Sequence, residues 1–439
     1  MQCDKGFRCT LACSSLAYSG NRTETAPLRL RSIQQQENPH HKEHKVSVFV
    51  ARLARAVSLA ALTFASPALA QAPALRDLPK PSREIEEPFS LVSGALELKP
   101  NQLLAVDGTE AMVMLVDFAK GTRTNLGRQG SGPGEYRMPA GLFRLAGDTL
   151  WLFDAMQQRL VVFNPDLTPG TTMTMLVFDQ STSTALTAPY LGDRKGMVYA
   201  SSMVIQAGRS GGNMQMSLPD SVGVIRMDPR GKTGRTELAR VRFPTSGKPD
   251  IKQNGSALKY TMAYPGLVAS DPWTVFPDGR VAIVRGATYT VEYITPDGKK
   301  TTTRIAYDPI KVTAADQKAE MDEAKRVMAE QGKMVQKMMP PNVTMDFELL
   351  PPAEWPANYP AVSALGALPG PDGRLWVRRA IPFRTGHEQW DVIDQAGKLV
   401  ARWRLPAKTT LVALGQGVVY TVRTDEDDLR YLQRVEIGK

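Results

Sequence analysis

Six times along this chain a run of alternating apolar residues ends in a tight turn that often carries Pro, Asp or Gly. The copies are MLVDFAKGT near Gly121, LVVFNPDLT near Leu167, VIRMDPRGK near Gly231, VEYITPDGK near Gly298, WDVIDQAGK near Gly397 and QRVEIGK near Gly438. Ahead of each stands a second β-rich run, usually opened by a Gly turn: QLLAV from Gln102, DTLWLFD from Asp148, GMVYAS from Gly196, GRVAIVR from Gly279, GRLWVRR from Gly373 and GVVYTVR from Gly417. Alternation with period two that runs into such a turn is a strand and hairpin signal. Six ordered pairs mean six copies of one unit, and units of about 40 to 50 residues built from short strands indicate blades of a β-propeller. A hydrophobic fraction of 42% is ample for the core this requires and excludes a disordered or collagen-like chain. The expected fold is therefore all-β: a six-bladed β-propeller with one helical insertion.

After each turn except the sixth comes a further β-rich run, such as TTTRIAY from Thr301 or LVARWRL from Leu399. The sixth unit reaches Lys439 without one. The segment from Arg83 to Val92 is expected to return as its outer strand, which removes an exposed edge and closes the ring with an N-terminal strand.

The stretch LGRQGSGPGEYRMPAGLFRLAGDTLWLFDAMQQRLVVFNPD, Leu126 to Asp166, resembles an NHL-type repeat of the six-bladed propeller superfamily, which includes TolB-like exported bacterial proteins. GRLWVRRA through WDVIDQAGKLVARWRLP is similar to the last blades of such proteins. Within that superfamily, lactonases and lyases commonly use a channel metal or a channel histidine, and some NHL propellers bind RNA. Their ligand motifs have no match in this sequence.

Three connections exceed the spacing of the units: Gln206 to Ser221, Phe243 to Met262 and Tyr307 to Pro360. The first joins a second to a third strand and the others a fourth strand to the next first strand, so all three belong on one face. Loops enlarged on one end of a rigid scaffold are where binding concentrates. The longest, 307–360, holds a helix over 313–339, with Thr313 as N-cap, Asp316 completing a capping box and Pro340-Pro341 as the stop. Met321, Ala324, Met328, Val335 and Met339 share a stripe that packs the insertion down or serves as an adaptable surface, and Asp322 and Arg326 are spaced to pair. Gly332 interrupts the helical pattern.

Near the front of the chain, Arg52 and Arg55 precede a small apolar run, Ala56 to Ala65, followed by Ala68-Leu69-Ala70. This pattern reads as a secretory signal peptide over 46–70, cleaved near Ala70, because the run is shorter than the roughly 20 residues a membrane span needs. Residues 1–45 ahead of it read as a non-native or disordered leader, with translation expected to start at Val46 or Val48; 71–81 reads as a linker and 82–439 as the propeller. All three cysteines (Cys3, Cys9, Cys13) and three of four histidines lie in the leader, which leaves His387 alone. From Gln71 onward there is no disulfide, no cysteine nucleophile and no Cys or multi-His zinc site.

The net charge of +10 suggests nucleic acid or anionic membrane only superficially. Nine basic against four acidic residues sit in 1–70, leaving +5 for the rest, too little for a basic nucleic-acid face. A periplasmic or extracellular protein without a transmembrane segment is expected.

Candidate chemistry is sparse. The GSGPGEY loop lacks the Lys-Ser/Thr of a P-loop and opens no helix, so it reads as an inter-blade turn. Asp425 to Asp428 resembles the start of a calcium loop, but Leu429 and Arg430 occupy the fifth and sixth positions, where an oxygen ligand and Gly are required. His387 is the one histidine a Ser-His-Asp triad could use, and no GxSxG elbow accompanies it. The second strands end in Asp107 and Asp154 early in the chain and in Arg285, Arg378 or Arg379, and Arg423 late in it. Turned inward, these side chains make a channel mouth acidic on one side and cationic on the other, suited to an anionic or zwitterionic ligand, with Arg128, Glu135, Tyr136 and Arg137 nearby. Two functions follow: an exported module that binds a protein partner or small ligand without a cofactor, or a hydrolase or lyase using a divalent metal such as calcium in the channel.

Overall fold

The structure, a computed structural model, describes residues 72–438 except 176–177, 180–182, 205, 211–212, 218, 232–233, 244–249 and 340–341. The expected leader, signal peptide and cleavage point lie outside the described residues, as do parts of the first two long connections. The described residues form one compact unit.

That unit is mostly β, with many small sheets and a single α-helix, the pattern of an all-β propeller. The first sheet comprises Val92–Lys99, Gln102–Asp107, Met112–Asp117 and Thr122–Asn125; the second, Pro139–Arg144, Leu150–Asp154, Arg159–Phe163 and Pro169–Thr174. The third runs through Thr184–Gly192, Val198–Val204, Ser221–Met227 and Thr236–Arg242, with Phe178–Asp179 added at its edge. Trp273–Val275, Val281–Arg285, Thr290–Ile294 and Lys300–Arg304 form the fourth, and Val362–Pro369, Leu375–Arg379, Gln389–Ile393 and Leu399–Arg404 the fifth. Thr409–Gly415, Val418–Thr424 and Arg430–Glu436 belong to a sixth. Each is an antiparallel meander.

Arg83–Glu84 pairs antiparallel with Arg430–Glu436, in the register Arg83 to Arg434, and supplies the fourth strand of the sixth sheet. Just before it, Leu75–Asp77 pairs parallel with Leu399–Arg404, so the segment expected as a linker carries an extra strand on the fifth sheet. Arg404 fixes that strand by a two-pronged ion pair to Asp77 at 2.6 and 3.0 Å.

The second strand of each sheet is buried on both faces, and its alternation has a geometric cause. Leu150 and Leu152 point into a core shared with the first sheet, whereas Trp151 and Phe153 point into one shared with the third. In the fourth sheet Val281 and Ile283 face back toward the third while Ala282 and Val284 face the fifth. Successive residues of a strand face opposite sides, so a strand between two cores reads as continuous apolar sequence. Each core cluster joins two sheets consecutive in the chain, and one joins the sixth sheet, with Ile85 and Phe89, to the first.

The three long connections come together. Gln206–Ser210, Asn213–Ser217, Asp250–Asn254, Ala257–Ala263 and Thr344–Leu350 form a separate five-stranded sheet in that order, whose last pair is parallel. The helix, α1 (Ala314–Met338), is contained in the same insertion. Thr313 caps it reciprocally with Asp316. Gly332 does not break it: a Cβ there would stand 2.9 Å from the Phe347 ring, so the glycine lets α1 approach the strand Thr344–Leu350. Asp322 pairs with Lys318 at 2.5 Å and Arg326 with Glu323 and Glu330 at 2.6 Å, which corrects the expected Asp322–Arg326 pair. Each group finds its partner one turn back or on, three or four residues away. No helix among the described residues is long and apolar enough to cross a membrane.

Candidate functional site

A cavity of about 760 Å³ lies where α1 meets the fifth and sixth sheets. Its placement begins with Asp316. The Asp316 carboxylate is 1% exposed, accepts from Thr313 N (2.9 Å) and Oγ1 (2.6 Å), and pairs with Arg384 Nε at 2.6 Å. Burial works to raise its pKa, but the Thr313 hydrogen bonds and the Arg384 charge overcome this and hold the carboxyl below its ordinary range. Arg384 belongs to the short 3-10 turn Phe383–Thr385, so this one pair fixes the start of α1 over the loop that follows the second strand of the fifth sheet.

One turn further along, Glu320 lines the cavity with Tyr264 and Tyr359. Burial pushes the Glu320 carboxyl above its ordinary pKa, and nearby Asp316 and Glu323 add to the rise against hydrogen bonds from Phe383 and Tyr264. The Tyr264 hydroxyl donates to Glu320 Oε2 at a long 3.5 Å; burial and that carboxylate push it up to about 12. Tyr359 is 3% exposed, and its hydroxyl has no hydrogen-bond partner among the described residues. Its pKa is raised as well, first by burial. A buried hydroxyl left unpaired costs about 1–3 kcal/mol, so the site holds a polar group waiting for a partner. The lining also includes apolar Leu267, Val268, Ile381, Pro382 and Phe383, of which Val268 and Phe383 are exposed.

Three of the residues expected at the site, Arg378, Arg379 and His387, line this cavity. Arg378 pairs with Glu388 at 3.1 Å, and Glu388 also accepts from Trp390 Nε1 at 2.8 Å. Half-buried His387 has Nδ1 at 3.0 Å from the Thr385 carbonyl and Nε2 at 3.3 Å from Gln389. Buried Arg379 is considered below.

The others stand elsewhere, engaged with their own surroundings. Asp107 accepts from the amides of Ser90, Thr109 and Glu110 at 2.8 to 3.1 Å, and Asp154 from those of Arg137, Met138 and Gln157 at 3.0 to 3.4 Å. Both are fully buried, tying a strand end to the chain entering its sheet. Arg285 binds Glu292 through two nitrogens (2.7 and 2.8 Å) and Asp271 through a third at 2.8 Å. Arg423 makes a two-pronged pair with Glu84 of the N-terminal strand. Arg128 pairs with Glu135 at 2.7 Å, and Glu135 accepts from Gly132 N at 2.7 Å. Gly134 there has φ +69, the left-handed value a turn of this kind needs. The Tyr136 hydroxyl donates to Leu126 O at 2.5 Å and accepts from Val113 N at 2.9 Å, while the Arg137 side chain is exposed.

Reading the sequence missed Tyr264, Glu320 and Tyr359. For Glu320 a signal was present: Asp316, Glu320 and Glu323 fall at i, i+4 and i+7, an acidic stripe on the helix beside the methionine one. Tyr264 and Tyr359 lie in irregular segments where periodicity says nothing.

Among the described residues no group of three or more His, Cys, Asp or Glu side chains is placed to hold a metal ion. The Asp107 and Asp154 carboxylates are both engaged by backbone amides. No protein-family model matches the chain, and no curated protein matches it. Solved structures similar to it include the calcium-binding protein regucalcin of Agrobacterium tumefaciens (12% identity over 83% of this chain and 98% of that one, TM-score 0.39). Others are a gluconolactonase of Xanthomonas campestris (13%, 83% and 97%, TM-score 0.39) and virginiamycin B lyase of Staphylococcus aureus (9%, 79% and 97%, TM-score 0.34). At these values neither an activity nor a ligand carries over to this chain.

Proposed function

We propose that the chain is an exported six-bladed β-propeller, periplasmic or extracellular, that binds a small amphipathic ligand in the cavity beneath α1. Six meanders, with core clusters that link each to the next and the sixth to the first, support six blades and a closed ring. The apolar run and Ala68-Leu69-Ala70 support export. The observation that carries the binding reading is the buried Tyr359 hydroxyl, unpartnered among the described residues, in a cavity lined by both apolar and charged side chains. Its volume is within the usual range for small-molecule sites, about 300–1,000 Å³.

The test is a thermal-shift screen of aromatic and aliphatic amphiphiles, each positive compound repeated on Tyr359→Phe and Phe383→Asp. Losing a buried, unpaired hydroxyl leaves stability unchanged or raises it by about 1 kcal/mol. Compounds that stabilise the parent and fail on both variants support the site. Compounds that act equally on all three proteins, or a screen in which none acts and a protein partner binds instead, would overturn it.

A further inference from the structure

We propose a second binding site, for a small oxyanion, in the cavity of about 350 Å³ beside Arg379 and Arg402. Arg379 borders both cavities, but the contacts with Asp391, Arg402 and Tyr289 are separate from Glu320 and Tyr359, and the proposal does not rest on the reading above.

Asp391, 1% exposed, accepts from Arg379 Nη1 at 3.4 Å, from Arg402 Nε at 3.2 Å and from the Tyr289 hydroxyl at 2.7 Å. Two guanidinium groups therefore share one carboxylate, and Tyr289 adds no charge because burial and the nearby carboxylate hold its hydroxyl well above its ordinary pKa. One positive charge is left over at a largely buried position, and an uncompensated buried charge is costly. Asp308, exposed at the mouth, forms an ion pair with neither arginine.

Unused donors point the same way. Arg379 is 7% exposed, and among the described residues its one carboxylate contact is long and its buried Nε has no hydrogen-bond partner. Its guanidinium lies 5.0 Å from the ring centroids of both Tyr289 and Tyr307, which fixes the plane of the fork before anything binds. Cross-strand pairing of Asp391 with Arg402 sets the second guanidinium on the same wall. Two held guanidinium forks suit a carboxylate or a phosphate-type anion, which accept paired N–H donors. Gln389 offers an amide on the same wall.

The experiment measures melting temperature and titration calorimetry on the full protein in phosphate, sulfate and acetate, against chloride at matched ionic strength. An anion that binds only the folded state raises the melting temperature progressively with its concentration. The expected result is such a rise with the oxyanions and none with chloride; phosphate against acetate separates tetrahedral from planar preference. Arg402→Gln, at a position 28% exposed by its side chain, is expected to fold and to weaken binding at least about tenfold, the equivalent of one charge-assisted hydrogen bond. Arg379→Lys is expected to lose the effect too. Equal shifts in chloride, no shift up to about 50 mM oxyanion, or full retention in Arg402→Gln would each overturn the proposal.

Discussion

Replacing Phe89 by Ala tests whether the N-terminal segment is a structural part of the sixth sheet. Phe89 is 3% exposed and packs in one cluster with Ile85, Leu103, Phe118, Tyr420 and Leu432, that is, with residues of both the first and the sixth sheets. Its amide donates to the Arg430 carbonyl at 2.8 Å, a bond alanine keeps, so the change removes the ring alone. Deleting a buried aromatic ring costs about 3–5 kcal/mol, transfer and residual cavity together. Loss of the Arg123 guanidinium stacked 4.9 Å from the ring centroid adds about 0.5–1 kcal/mol. With a shift of about 2 °C per kcal/mol for a chain of this size, the melting temperature is expected to fall by roughly 7–12 °C. Near-UV circular dichroism during a thermal ramp reports it. Leu91→Ala, at a residue 41% exposed two positions on, is the control and is expected to stay within about 0.5 kcal/mol of the parent. Equal melting of Phe89→Ala and the parent would show that three strands suffice for the sixth sheet and that the N-terminal pairing is incidental.

Further outcomes are expected. Because the folded pKa of Glu320 is raised, its favourable share of stability is present below about pH 4.5 and is lost as pH rises through the raised value. Glu320→Gln should therefore gain on the parent as pH climbs from 4 to 8, and a pH-independent difference in paired melts would refute this. Gly332→Val should loosen α1 from the Phe347 strand, read as faster amide exchange in α1 with the sheet cores unchanged; unaltered exchange would count against the close approach. Exhaustive chelation should leave the melting temperature within about 1 °C, whereas a drop reversed by calcium would favour the metal-dependent hydrolase or lyase instead.

What the sequence disclosed and what it hid divide along a physical line. The six-fold rhythm is legible because the second strands lie between two cores, so Leu150 to Phe153 or Val281 to Val284 must be apolar on both faces whatever surrounds them. The start of α1 is legible because Thr313 and Asp316 satisfy each other within four residues. The roles of the charged strand ends are not. Arg285 takes Glu292 and Asp271, Arg423 takes Glu84 from the other end of the chain, and Arg379 shares Asp391 with Arg402. Such partners follow from register and tertiary contact, and a one-residue slip would reverse every side chain involved. An Asp at a strand end is equally suited to a ligand and to a row of backbone amides, and Asp107 and Asp154 took the amides.

The pairing of Glu84 with Gln433 spans 349 positions, and it sets an order of assembly. A chain delivered from its N-terminus produces Arg83 to Phe89 early and their partners last. Through most of synthesis, therefore, Ile85 and Phe89 have no sixth sheet to enter, while the earlier meanders can close on local contacts as they emerge. The entropy of closing so long a loop rises slowly with its length, roughly 0.6 kcal/mol per doubling, so the delay is a matter of kinetics more than of stability. The seam between the two ends is the last part of the protein to become native, and in that interval its apolar residues are exposed to chaperones and proteases.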